Sequence, residues 1–80
     1  MEITEIYHVY GCNDEGREWL DSEFRDFKCA CKYAVANYGK ISYNLPRVVK
    51  YIYSYDPEHK TVSENTEVIE PGQIYYMNKT

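Results

Sequence analysis

The chain has 80 residues, a length that fits one small domain. Its 44% hydrophobic and 28% charged residues exclude the low hydrophobicity and high net charge of a disordered chain. The formal net charge of -4 argues against binding to a nucleic-acid backbone, which needs a basic surface.

The first predicted element is a strand over residues 3–10, ITEIYHVY, which is rich in β-branched and aromatic residues. Both faces of this strand carry apolar side chains, which is typical of a central strand in a thin sheet. Residues 11–16 hold two glycines around an Asn-Asp pair, and this composition predicts a turn. Residues 17–20 then either return as a short second strand or lead directly into a helix. The pattern favours the hairpin.

A helix is predicted to begin at Asp21 or Ser22 and to end before Gly39. Either Asp21 or Ser22 can cap the helix by accepting a hydrogen bond from a free backbone N–H of the first turn. Glu23 suits the positive end of the helix dipole, and glycine fits a left-handed C-terminal cap. Only one side of this segment is apolar, so we expect the helix to pack on a sheet. The predicted core stripe consists of Phe24, Phe27, Cys31, Ala34, Val35 and Tyr38.

The second half of the chain is predicted to add strands to the sheet. Residues 47–55 are β-branched and aromatic without a helical period, and this pattern predicts a strand. The segments after it are predicted as a turn at 56–60, an edge-like strand at 61–68, a type II turn at Pro71–Gly72 and a short strand at 73–77.

This order of elements predicts an α+β fold: a small antiparallel β-sheet with a single α-helix packed on one face, in the order β-β-α-β-β. Residues 1–80 are expected to form a single compact domain, with residues 78–80 frayed. The first residues lack the basic and apolar regions of a signal peptide, and no apolar run approaches the ~20 residues of a membrane span. We therefore expect a cytoplasmic protein that has no membrane partner and keeps its thiols reduced.

The cysteines and histidines form no recognisable metal or catalytic motif. Cys29 and Cys31 would point in opposite directions from a helix, so they cannot share a metal ion. We expect Cys29 to be exposed, Cys31 to lie in the core, His59 to be solvated and His8 to be half exposed in its strand. A chain this short also has little interior from which to build a catalytic pocket. The sequence predicts a protein that is not an enzyme and has no metal and no cofactor.

Tyrosine is the unusual component, with 10 Tyr against 2 Phe and 1 Trp. In the segment VVKYIYSYD, Tyr51, Tyr53 and Tyr55 occupy every second position and therefore share one face of the predicted strand. A tyrosine ring suits half-buried positions and interfaces because it has a large apolar body and a polar tip.

The sequence leaves two arrangements of this strand open. The helix covers either Val48 and Ile52, with Lys50 between them, or the tyrosines on the other face. Either way, one apolar or aromatic face lacks a helix, because a single helix covers only one face of the sheet. Such a face is a candidate interface, or its tyrosines pair across strands and stabilise the sheet.

The function best supported by the sequence is a non-catalytic protein-binding module that blocks or bridges its partner sterically. The acidic charge favours a basic protein partner. In size, acidity and tyrosine content the chain is similar to small accessory proteins of phages and mobile elements, including anti-CRISPR inhibitors, and this resemblance implies an inhibitor. The predicted binding residues are the anchors Tyr51, Tyr53 and Tyr55, their neighbours Tyr75 and Tyr76, and an acidic rim of Glu58, Glu64 and Glu67.

Two alternatives use the same tyrosines. A single-stranded nucleic-acid-binding protein would stack bases on them and would add the cations Arg25, Lys28, Lys32 and Lys50. The net charge makes nucleic acid the less favoured partner. A homodimer formed through sheet faces or edges would bury the tyrosines against each other.

Overall fold

A computed structural model describes residues 2–37 and 47–74 of the chain. These residues form a four-stranded antiparallel sheet with one helix packed against it, which confirms the predicted α+β fold and its β-β-α-β-β order. In chain order the elements are β1 (Glu2–Cys12), β2 (Glu18–Phe24), α1 (Phe27–Ala36), β3 (Arg47–Asp56) and β4 (Thr61–Ile69).

The strands lie in the spatial order β2-β1-β3-β4, so β1 and β3 are central and the other two are edges. The predicted β1–β2 hairpin is confirmed. The side chain of Asn13 closes its turn by accepting hydrogen bonds from the backbone N–H groups of Glu15 and Arg17, at 3.0 and 2.9 Å. Gly16 has a φ of 86°, a left-handed conformation that glycine adopts without steric cost. The edge position predicted for residues 61–68 is also confirmed, because β4 is the last strand in the spatial order, and every one of these residues is exposed.

The hydrophobic core lies between the sheet and α1. Val9 and Val48 are opposite each other in the β1–β3 ladder, and Ile69 of β4 is opposite Val48 on its other side. Apolar side chains of neighbouring strands thus line one face, and the small helical residues allow α1 to approach it closely. The buried core consists of Tyr7, Val9, Ala30, Cys31, Ala34, Val48, Ile69 and Ile74.

The helix is shorter than predicted and begins at Phe27 instead of Asp21 or Ser22. Its cap is Asp26, whose carboxylate accepts a hydrogen bond from the Cys29 N–H at 3.3 Å. Residues 21–24 extend β2 instead, because Ser22, Glu23 and Phe24 make additional backbone pairs with β1. The register shifts by one residue at this point, and the Tyr33 hydroxyl of the helix donates a hydrogen bond to the Asp21 carboxylate.

This correction changes the roles of several predicted helical residues. Phe24 belongs to β2, where it still packs against the core. Arg25, one of the cations of the nucleic-acid alternative, lies before the helix and not on it. Cys31 and Ala34 are buried and Cys29 is exposed, as predicted, and Ala30 is a core residue that the prediction did not include. The predictions for Tyr38, Gly39 and the connector at 41–46 lie outside the described residues.

The type II turn predicted at Pro71–Gly72 is wrong, since residues 71–74 form one helical turn. The N–H groups of Gln73 and Ile74 donate to the Glu70 carbonyl at 3.0 and 3.2 Å. Proline is well suited to the first position of such a turn, where its missing N–H costs nothing. The strand predicted at 73–77 is likewise wrong at its first two residues. Residues 75–80 lie outside the described ones.

Candidate binding face of the sheet

The strand register decides which face of β3 the helix covers. Val48 is opposite the buried Val9, and Lys50 is opposite the buried Tyr7. These β3 residues therefore lie on the helix side, and the alternate positions lie on the other side. We call that other side the open face; by the same register it contains His8, Tyr10, Leu20, Glu23, Arg47, Tyr51, Tyr53, Tyr55, Val62, Glu64 and Val68.

Several apolar side chains on the open face are exposed to solvent, whereas Val49 on the same face is buried. In the part of the chain that the structure describes, α1 packs on the opposite side of the sheet. Val62 is 69% exposed, Leu20 and Val68 are each 52% exposed, and Tyr55 is 37% exposed. Several such side chains on one sheet face mark a candidate interface.

A hydrogen-bonded aromatic cluster occupies the middle of the open face. The Tyr10 and Tyr51 hydroxyls are 2.8 Å apart, and His8 Nδ1 is 3.4 Å from the Tyr10 hydroxyl. The His8 and Tyr51 rings lie 4.6 Å apart, and Tyr53 is stacked beside Tyr51 at 6.5 Å. Tyr51 thus stabilises the sheet through cross-strand pairs, whereas Tyr55 presents its ring to solvent.

Carboxylates surround this cluster. Glu18 forms an ion pair with Arg47 at 3.0 Å, and the Arg47 guanidinium lies 4.7 Å from the centre of the Tyr10 ring. Glu23 Oε1 is 3.7 Å from His8 Nε2, and Glu64 is directly opposite Tyr53 in the ladder. Desolvation, followed by the charge of Glu64, raises the pKa of Tyr53.

The Tyr10–Tyr51 contact predicts a measurable titration. The hydrogen bond to Tyr51, followed by burial, raises the pKa of Tyr10 from 10.0 to about 12. The Tyr51→Phe variant should therefore lower the pKa of Tyr10 toward 10, as measured by NMR of tyrosines labelled with ¹³C at Cζ. Because the folded state retains the proton longer than the unfolded state, Tyr10 makes the protein lose stability as the pH rises from about 10 to 12.

The matched control for this titration is Tyr53→Phe. Tyr53 does not contribute to the shifted pKa of Tyr10, so this variant should leave the Tyr10 titration unchanged. A Tyr10 titration that is equal in Tyr51→Phe and in the unmodified protein would contradict the described hydrogen bond.

The predicted binding residues do not all lie together. Tyr51, Tyr53 and Glu64 are neighbours on the open face, and Tyr55 follows them along β3. Glu58 is exposed on the β3–β4 turn. The structure places Glu67 on the helix side, opposite Lys50, so it is not part of a rim around the tyrosines. The positions of Tyr75 and Tyr76 lie outside the described residues.

Sequence reasoning did not include several members of the open face. A usable signal was present in ITEIYHVY, because alternate positions of a strand share a face. What the sequence lacked was the pairing of this strand with β3, which brings residues far apart in the chain side by side. The missed residues are His8, Tyr10, Leu20, Glu23, Arg47, Val62 and Val68.

Lys50 lies on the helix side among acidic and aromatic groups. Its Nζ is 3.4 Å from Glu5 Oε1, and Glu67 is opposite it in β4. The Lys50 side chain is 22% exposed, so its stem is covered and its ammonium group is paired. Burial, followed by the hydrogen bond to Glu5, raises the pKa of Tyr7 to about 12. A hollow of about 190 Å³ at this site is lined by Tyr7, Phe27, Lys50, Glu67, Ile69 and Gln73.

The cations of the nucleic-acid alternative do not lie with the tyrosines. Lys28 and Lys32 belong to α1, which covers the side of the sheet opposite the open face. Lys50 is also on the helix side, and Arg25 lies between β2 and α1. A nucleic-acid strand stacked on the tyrosines would therefore lie close to several carboxylates. The cation beside it would be Arg47, which already pairs with Glu18.

The thiols of α1 are not activated as nucleophiles. Burial raises the pKa of Cys31 to about 11. The hydrogen bond to Asp26, followed by desolvation, raises the pKa of the exposed Cys29. Both thiols are therefore held in the protonated form, whereas cysteine catalysis requires the thiolate.

One group of side chains in the described residues has the spacing of a metal site. Single ligand atoms of Asp56, Glu58 and His59 lie within 4.8 Å of one another on the β3–β4 turn. His59 Nδ1 is 2.7 Å from Asp56 Oδ2, and this contact lowers the pKa of Asp56. The His59 side chain is 69% exposed, in agreement with the prediction that it is solvated. These groups could coordinate a divalent cation, but their mutual hydrogen bonds also explain the arrangement.

No family of known proteins, no curated protein and no solved structure matches this chain. Within residues 2–37 and 47–74, no helix has the length and apolar content needed to cross a membrane.

Proposed function

We propose that this protein is a non-catalytic binding module whose open face docks on a basic segment of a protein partner. The observation that supports this most strongly is the β1–β3 register, which places Tyr51, Tyr53 and Tyr55 on the side of the sheet away from α1. Tyrosine is enriched in the centres of protein interfaces and among the residues that dominate binding energy. The tyrosine row therefore provides the anchors of the contact.

The partner is expected to be basic because of the charges around the tyrosines. Arg47 is already paired with Glu18, so it offers little positive charge to a ligand. Glu64 beside Tyr53 and Glu23 beside His8 remain on the surface, with half-buried rings between them. A lysine or arginine side chain can lie over a tyrosine ring and reach a carboxylate at the same time.

The mechanism is steric blocking or bridging. β1 and β3 are long central strands of 11 and 10 residues, and the ladder between them fixes the side chains of the open face in place. A rigid surface loses little conformational entropy on binding, which favours tight docking without rearrangement. Inhibition of a host or phage process remains a prediction within this proposal.

Affinity capture from nuclease-treated lysate tests the proposal, using Tyr53→Ala/Tyr55→Ala as the variant. These tyrosines are chosen because Tyr51 also stabilises the sheet. The matched control is Ile52→Ala, which directly precedes Tyr53 on β3 and faces the helix side. Circular dichroism first establishes that all three proteins are folded.

We expect one dominant protein to be captured by the unmodified chain and by Ile52→Ala, and its yield to fall at least tenfold in the tyrosine variant. Loss of about 2 kcal/mol per anchor residue gives an effect of this size. Equal capture by the tyrosine variant, or loss only in Ile52→Ala, would contradict the proposal.

A further inference from the structure

We propose that β4 pairs antiparallel with β4 of a second copy of this chain, about a two-fold axis at Asn65, to form a continuous eight-stranded sheet. This inference does not depend on the proposed function, because it concerns the edge of the sheet and not its open face.

The two edges of the sheet differ in how they are protected. β2 has seven residues, and its ladder with β1 is interrupted by the register shift at Asp21. β4 has nine residues, and its ladder with β3 is unbroken. Natural edge strands are usually blunted by bulges, prolines or charged side chains, above all lysines. β4 has no bulge, proline or lysine, and its charged residues are Glu64 and Glu67. Its outer backbone groups face no other described strand, so they are free to pair with another chain.

The sequence of β4 is complementary to itself in one register. A two-fold axis perpendicular to the sheet keeps the open faces of both copies on the same side. Residues that lie directly opposite each other in the two β4 strands therefore belong to the same face of the sheet. With the axis at Asn65, all nine residues of β4 find a partner. The pairs are then Val62 with Val68, Ser63 with Glu67, Glu64 with Thr66, Thr61 with Ile69, and Asn65 with itself.

This register joins apolar to apolar side chains and separates like charges. Val62 and Val68 are 69% and 52% exposed in the single chain, and the two-fold axis creates two pairs in which each valine covers one of the other copy. An axis at Glu64 or at Glu67 would instead bring two identical carboxylates opposite each other, which is unfavourable. An axis at Thr66 would place Val68 opposite Glu64. The charge pattern of β4 therefore selects Asn65 as the centre.

The paired sheet has a geometric consequence for the open face. Because the axis is perpendicular to the sheet, both open faces lie on the same side. The two β3 strands are then separated by three strand spacings, about 14 Å. A dimer of this kind presents two parallel rows of tyrosines on one surface.

Charge exchange at the valines tests the pairing. We expect sedimentation equilibrium of the unmodified chain to give a mass that rises with concentration toward twice 9.5 kDa. Two double variants should be monomeric, because like charges would lie opposite each other in the pair of β4 strands. These variants are Val62→Lys/Val68→Lys and Val62→Glu/Val68→Glu. An equimolar mixture of the two variants should form heterodimers, because each lysine then faces a glutamate.

The proposal would be overturned by an unmodified chain that stays monomeric at all concentrations, or by a mixture that fails to restore the dimer. Tyr53→Ala/Tyr55→Ala should remain dimeric. Loss of the dimer in that variant would place the interface on the open face and would also contradict the edge pairing.

Disulfide trapping tests the register. In a Cys29→Ser background, Asn65→Cys places two thiols on the two-fold axis, within the Cα separation of 4.4–6.8 Å that a disulfide spans. The matched control, Ser63→Cys, places equivalent thiols about 14 Å apart along the strands. Cross-linked dimers of the first variant and not of the second are expected, and equal cross-linking of both would contradict the register.

Discussion

Replacing Ile74 with alanine is expected to lower the free energy of unfolding by about 2–5 kcal/mol. Ile74 is 1% exposed and packs into the core from the helical turn at 71–74. Its removal leaves a cavity between this turn and the sheet, in addition to the lost transfer of apolar groups from water. The loss is large for a domain of this size, whose total stability is on the order of 5–15 kcal/mol.

Urea denaturation followed by circular dichroism measures this loss, and Val62→Ala is its matched control. Val62 is 69% exposed on the edge strand, so its truncation should change the free energy of unfolding by less than about 0.5 kcal/mol at concentrations where the chain is monomeric. If Ile74→Ala costs no more than the control, the helical turn does not contribute to the core and the original strand prediction for this segment regains support.

Lys50→Glu is expected to lower the free energy of unfolding by about 2 kcal/mol. This value lies between the losses caused by breaking an exposed ion pair and by breaking a buried one. The variant loses the Lys50–Glu5 ion pair at 3.4 Å and places three carboxylates together, because Glu67 is directly opposite. Since the side chain is 22% exposed, solvent screens this repulsion only in part. Added salt should therefore recover some of the loss.

The matched control for this charge reversal is Lys32→Glu, which makes the same change at an exposed position of α1. Lysine and glutamate have similar helix propensities, so little loss of stability is expected there. Equal losses in both variants at low salt would indicate that net charge, and not the environment of Lys50, determines the effect.

The strands of this fold were predictable because their side chains carry a local signal. The β-branched and aromatic residues of β1 and β3 leave no competing helical period. The start of the helix was not predictable on the same basis. Ser22 and Phe24 fit both a helix and a strand, and the choice depends on β1, whose Val9 and Tyr7 pair with them. This pairing with another segment of the chain outweighs the local preference of Ser22 to cap a helix.

The candidate site was predictable in part. Alternation alone puts Tyr51, Tyr53 and Tyr55 on one face, and the structure agrees. The helix covers the face that carries Lys50, because Glu5 and Glu67 lie next to its ammonium group and make that position favourable. Those partners come from two other strands, so no local pattern could have revealed them.

The composition of the open face could not be predicted for the same reason. The Tyr10–Tyr51 contact joins residues 41 positions apart in the chain. It exists only because β1 and β3 pair in one particular register. A shift of that register by one residue would move one of the two hydroxyls to the helix side.

An alanine scan along β3 against the purified captured partner tests the central claim most directly. The measurement is the dissociation constant of six single variants, at positions 50–55, each first shown to be folded. The account predicts a period of two: Tyr51→Ala, Tyr53→Ala and Tyr55→Ala weaken binding tenfold or more, while Lys50→Ala, Ile52→Ala and Ser54→Ala leave it within about twofold. Weakening at the three helix-side positions, or an equal loss at all six, would contradict it.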